Sequence, residues 1–119
     1  SIDTSVGGLW YMPYVNYCVA NGITRVGQFT DMNALISRGD MAIVFANILP
    51  DAEYTATRSG QIPDVANSLG CYAAVMKLYN AGIVGGDAGT GKYRPDDSIS
   101  RAEACVIFTR IAAPEYRQK

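Results

Sequence analysis

The chain has 119 residues, 49% of them hydrophobic and 18% charged, with a net charge of −1. A chain of this length buries roughly 65% of its unfolded surface, so it forms one compact domain or one piece of a larger assembly and is not a disordered segment. Without any Lys/Arg block it offers nucleic acid no electrostatic footprint, and no apolar run approaches the ~20 residues that span a membrane.

The first predicted helix covers residues 10–20. Tyr11, Tyr14, Val15, Cys18 and Val19 recur at helical spacing. Pro13 is tolerated in a first turn, and Asn21-Gly22 supplies the left-handed end. Ser37 and Asp40 then stand at N-cap and N3 of a second helix carrying Met41, Val44, Phe45 and Ile48. Residues 50–61 are polar and read as a surface connection. Ile62-Pro63-Asp64-Val65 leads into a third helix, with Asn67 or Ser68 as its cap, Cys71, Val75, Leu78 and Tyr79 on its stripe, and Gly82 closing it. Ser100 and Glu103 have full capping-box spacing and open a fourth helix, with Ala104, Ile107, Phe108 and Ile111 facing inward. Residues 114–119 read as a fraying tail.

These four segments are two copies of one unit. Gly22-Ile23 aligns with Gly82-Ile83 at an offset of 60, and Ile36-Ser37-Arg38 aligns with Ile99-Ser100-Arg101 at 63. The extra residues of the second copy fall in the loop between the two anchors, where a repeat tolerates length change. The division is a first repeat at 1–50, a connection at 51–61, a second repeat at 62–113 and a tail at 114–119. The expected fold is all-α: helix-loop-helix units packed about a pseudo-rotational axis, the Ser37 and Ser100 helices meeting centrally through Phe45 and Phe108.

The motifs that could carry chemistry mostly have ordinary explanations. Gly86 to Lys92 matches G-x-x-x-x-G-K, but Tyr93 stands where the magnesium-binding hydroxyl belongs, and Pro95 and Asp96 keep a helix from backing the loop. Asp87, Asp96 and Asp97 lack calcium-loop spacing and suit turns. There is no histidine, so neither a Cys-His zinc site nor a Cys-His nucleophile can form, and no carboxylate pair is set apart for acid–base work. No catalytic residue, metal or cofactor is expected. Cys18, Cys71 and Cys105 read as free thiols, those at 18 and 105 buried on apolar stripes. An extracellular setting would permit one disulfide among the three.

Arg38 and Arg101 stand apart. Each occupies the first helical position, where a cation opposes the helix dipole. Either a neighbouring carboxylate compensates, or the guanidinium joins the free N–H groups of the helix start to hold an anion. Trp10, at the start of an aromatic-rich helix, could stack on a sugar.

Gly82-Ile83-Val84-Gly85-Gly86, Gly91-Lys92-Tyr93-Arg94-Pro95 and Ile99-Ser100-Arg101-Ala102-Glu103, following Ile62-Pro63-Asp64-Val65, resemble the S-layer homology repeat in order and content. The first copy keeps Trp10-Tyr11, Gly22-Ile23, Gly27-Gln28-Phe29 and Ile36-Ser37-Arg38, and departs from the pattern at Asp31 and Gly39-Asp40. The resemblance implies a non-catalytic, extracellular module that anchors a surface protein to the cell wall by binding a secondary cell-wall polysaccharide, often pyruvylated, or another peptidoglycan-linked polymer. It implies ligand contacts at Arg101, Arg38, Gly85, Gly86 and Asp87, and a third repeat supplied by another chain or by sequence outside these residues. The alternative is a protein-interaction module on the same fold that has lost sugar binding.

Overall fold

The computed structural model describes residues 12–24 and 35–118. Among them are four helices, α1 (Met12–Ala20), α2 (Arg38–Ala46), α3 (Tyr72–Asn80) and α4 (Arg101–Ala112), with 3-10 turns at Asp51–Glu53 and Pro114–Tyr116. The described residues contain no strand, only an isolated antiparallel bridge between Ser37 and Ser98. The fold is all-α. Two compact units comprise residues 1–34 and 35–119, a division that falls inside the first copy.

In the first unit, α1 ends as its sequence predicts. Gly22 adopts φ 73°, its N–H donates to Val19 O at 3.1 Å, and the Ile23 N–H donates to Cys18 O at 2.9 Å. α3 closes the same way in the second unit: Gly82 has φ 79°, with Gly82 N–H to Tyr79 O at 3.0 Å and Ile83 N–H to Leu78 O at 2.9 Å. This paired bonding satisfies carbonyls that a helix end otherwise leaves free, and it requires the left-handed residue that glycine supplies without strain. The predicted start of the first helix at residue 10 lies outside the described residues. Tyr14, expected on the inward stripe, is exposed.

In the second unit, α2 and α4 begin directly after the two predicted caps. The Ser37 and Ser100 hydroxyls each accept the N3 backbone N–H at 3.1 Å. At Ser100 the box is complete, with the Glu103 carboxylate accepting the Ser100 N–H at 3.2 Å. α3 has no side-chain cap: neither Asn67 nor Ser68 provides one, and a turn in which the Tyr72 N–H reaches Leu69 O leads into the helix instead.

The core lies between α2 and α3 and the loops around them. Val75, Leu78 and Ile83 are fully buried, with Phe45, Tyr54, Ile62, Tyr93, Ile107 and Ile111 around them. The connection at 51–61 takes part in it. Tyr54 is buried and donates to Phe45 O at 2.6 Å, while Lys77 ties the end of α2 by donating to Ala46 O at 3.1 Å and pairing with Asp51. Arg58 lies over the Tyr79 ring, 4.0 Å from its centroid, and donates to Tyr79 O and Val84 O.

Three further expectations fail. Phe108 is 58% exposed and touches Phe45 only edge-on, with centroids 6.2 Å apart, because α2 packs against α3 and its loop rather than centrally against α4. Cys105 is exposed as well, and all three thiols are free. The tail is not frayed: Arg117 donates to Arg110 O, Ile111 O and Glu53 O, closing the end of α4.

Phe45→Ala should therefore cost roughly 3–5 kcal/mol and Phe108→Ala only about 1 kcal/mol, with Ser100→Ala also near ~1 kcal/mol through the lost cap. Urea denaturation of the three variants measures this ordering.

Candidate ligand groove

The second-copy loop from Tyr93 to Ile99 folds over the start of α2. The first N–H groups of that helix, which no helical carbonyl can satisfy, donate to this loop: Arg38 N–H to Asp97 O at 2.7 Å and Gly39 N–H to Pro95 O at 2.8 Å. A side chain at Gly39 would press against Cys71 Sγ and Pro95 O, both 3.1 Å from an added Cβ. Glycine here, where the second copy has Ala102, thus lets the loop approach.

Arg38 and Tyr93 hold each other reciprocally. Arg38 Nε donates to Tyr93 O at 2.7 Å, and the Tyr93 hydroxyl donates to Arg38 O at 2.9 Å. The guanidinium carbon also lies 4.6 Å from the Tyr93 ring centroid. Tyr93 is 1% exposed, and burial pushes its phenol up to about 12, against a smaller opposing pull from Arg38. The Arg38 charge is met by Glu103, the same carboxylate that completes the α4 capping box.

Asp64, from the segment leading into the second copy, positions the loop from below. Its two oxygens accept the Tyr93 and Arg94 N–H groups, each at 2.8 Å. Burial alone would raise its carboxyl, but those N–H donors together with its own outweigh burial and hold it below the ordinary value. Arg94 has a left-handed backbone, φ 59°, a conformation that a non-glycine residue keeps only when its surroundings fix it. Asp64 fixes its N–H, while Asp87 at 2.6 Å and Asp97 at 3.0 Å fix its guanidinium.

These contacts leave a cavity of about 330 Å³ between the Gly82–Asp87 segment and α4. Arg38, Gly85, Gly86 and Asp87 line it. So do Glu103, Val106, Ile107 and Arg110, which stand at i, i+3, i+4 and i+7 on one face of α4, and Gln118, which packs against the glycine segment. The structure thus brings four of the expected site residues together. Arg101 is not among them: it is exposed, and among the described residues no loop covers the start of α4 as Tyr93–Ile99 covers that of α2. Trp10 lies outside the described residues. The compensating carboxylate weighed for the two arginines exists for Arg38, whose helix-start N–H groups go to carbonyls. The sequence reading passed over Arg110, Gln118 and the inward role of Glu103. The spacing from Glu103 to Arg110 was a usable signal for that face of α4, whereas Gln118 had none.

Among the described residues no group of three or more His, Cys, Asp or Glu is placed to hold a metal ion, and no helix is long and apolar enough to cross a membrane. Fold and groove thus combine an all-α unit with a cavity whose carboxylates, Glu103 and Asp87, are paired with arginines. Residues 61–105 match the family model of the S-layer homology domain. The match spans Asp64, the glycine segment, the Tyr93 loop and the Ser100 cap, whereas the first copy lies outside it. Domains of this family are in general binding modules that anchor surface proteins to the cell wall, not enzymes. No curated protein and no solved structure matches the chain.

Asp64→Ala should cost about 1–3 kcal/mol at neutral pH. Because the folded carboxyl is shifted down, that contribution is present above the unfolded value of ~3.9 and is lost as pH falls through the folded value, so parent and variant stabilities should converge in acid. Tyr93 is shifted up, so its contribution holds below pH 10 and falls away between 10 and about 12. Denaturation of Tyr93→Phe across that range should lack this loss.

Proposed function

We propose that the chain anchors a surface protein to the cell wall by binding an acidic secondary wall polysaccharide, such as a pyruvylated one, in the groove between the Gly82–Asp87 segment and α4. The observation that carries this reading is the chemistry of the groove. Its carboxylates are already committed, Glu103 to Arg38 and Asp87 to Arg94, and what it offers a ligand is mainly hydrogen-bond donors. A polymer rich in oxygen acceptors and carrying negative charge complements such a wall. A cavity of about 330 Å³ has the size of one or two sugar rings, at the small end of ordinary ligand sites. Sugar binding at this groove draws on Gly85 and Gly86, with Arg38 as its buried floor.

A second reading has its own observation. Arg38, Gly39, Ala42, Phe45 and Ala46 are all buried on α2, and their counterparts at the offset of 63, Arg101, Ala102, Cys105, Phe108 and Thr109, are all exposed on α4. What covers the α2 set is α3 and the Tyr93 loop of the following copy. We propose that a further repeat, from another chain or from sequence outside these residues, covers α4 in the same manner, and that Arg101 serves the groove this repeat would complete.

Sedimentation with purified cell-wall fractions tests the anchoring function. The protein should pellet with walls that carry the secondary polysaccharide and remain in solution after that polymer is stripped. Equal pelleting with both preparations, or with neither, would refute polysaccharide anchoring and leave the interaction module on α4 as the function.

A further inference from the structure

Among the described residues, one cation lining the groove has no carboxylate partner. Arg38 is neutralised by Glu103 and only 5% exposed. Arg94 is held by Asp87 and Asp97, with Glu103 at 4.0 Å. Arg110 is half-buried and lines the cavity, yet its guanidinium makes no ion pair among the described residues. Its one contact is a hydrogen bond from Nη1 to Ile83 O at 3.3 Å. A cation in the last turn of a helix is favoured by the helix dipole, which accounts for its place on α4. The dipole does not account for its lying along a cavity wall with most of its five donors unused.

Apart from the paired carboxylates of Asp87 and Glu103, donors lie near it. Gly85 and Gly86 follow Ile83 by two and three residues and line the same cavity, and their N–H groups have no acceptor among the described residues. Adjacent backbone N–H groups of this kind form a concavity suited to an anion. Beside the same glycine segment stands Gln118. Its N–H donates to Gly82 O at 2.8 Å and its carbonyl accepts from Thr57 Oγ1 at 3.1 Å, which fixes the backbone. Its Oε1 accepts from Arg58 Nη2 at 3.1 Å, leaving Nε2 without an acceptor. The carboxamide sits so near the glycine segment that a Cβ on Gly85 would come within 2.9 Å of Oε1.

We infer that Arg110 is the residue that reads the ligand's negative charge, seating a carboxylate beside the Gly85 and Gly86 amides while the neighbouring Gln118 carboxamide donates from the same side. Arg38 then acts as a structural cation and not as the charge reader. The inference rests on the saccharide-binding reading and assigns its specificity to two residues, one on α4 and one in the closing tail.

The test is calorimetric titration with a methyl hexoside bearing a 4,6-linked pyruvate ketal, and with the methyl ester of that compound, which keeps the shape and removes the charge. The parent should prefer the acid. Arg110→Met should lose acid binding by roughly tenfold to a hundredfold, the span expected for a lost hydrogen-bonded charge contact, while leaving ester binding unchanged. Arg110→Lys, which keeps the charge as a point rather than a fork, should restore part of the preference. Gln118→Glu keeps the oxygen that Arg58 holds and replaces the donor with a negative acceptor, so it should weaken the acid more than the ester. Melting curves establish that each variant is folded. A folded Arg110→Met that still prefers the acid as the parent does overturns this assignment alone. A parent that binds neither compound overturns the saccharide reading and this assignment with it.

Discussion

The second unit depends on the exchange between Arg38 and Tyr93. Each side chain satisfies the other's backbone carbonyl, so the first turn of α2 and the loop that covers it are fixed by one pair of residues more than fifty positions apart. Buried polar groups are tolerable only when every member has a partner, and here the partners are found across the junction of the two copies. With the exchange in place, the Arg38 and Gly39 N–H groups find carbonyls, the Ser37–Ser98 bridge forms, and Glu103 meets a buried cation. Without it, α2 would present a buried arginine and unsatisfied helix-start donors to the core, two of the more expensive defects a small domain can contain.

The groove is a by-product of this arrangement. Asp64 and Arg94 hold the Tyr93 loop against α2, and Glu103 ties the start of α4 to the same point. The glycine segment, ended by the left-handed Gly82, then has to pass alongside α4 at a distance set by Ile107 and Ile111. Gln118 closes the gap at the far end. A Cβ on Gly82 would run into its backbone, so the smallness of that residue serves the tail as well as the end of α3.

Much of this was legible in the sequence because it depends on local chemistry. Helix starts at Ser37 and Ser100, ends at Gly22 and Gly82, and the all-α character follow from residue types a few positions apart. The family resemblance placed Gly85, Gly86, Asp87 and Arg38 in one site. The errors share a cause. Phe45 and Phe108 have equal patterns on their helices, but only one has a neighbour that buries it, and periodicity reports which face is apolar without reporting what covers it. Arg58, Arg117 and Gln118 act on backbone carbonyls distant in sequence, and a carbonyl carries no residue signature. The tail therefore read as loose and the connection as mere surface, although both are tied by hydrogen bonds. Arg110 was hidden differently, since its meaning depends on which carboxylates are already taken.

The unequal fates of α2 and α4 carry a consequence for how such units add together. If the further repeat proposed above covers α4 as the Tyr93 loop covers α2, that contact has a donor side and an acceptor side, the heterologous kind, which has a direction and does not end by itself unless rotation brings the last unit back to the first. Cohesion in such an array resides at the junctions as much as within the units. The strength of any one junction can then be tuned by a loop of a few residues, here 93–99, without rebuilding a helix. A lineage that lengthens, trims or recombines these copies needs to keep only that loop and the arginine it covers.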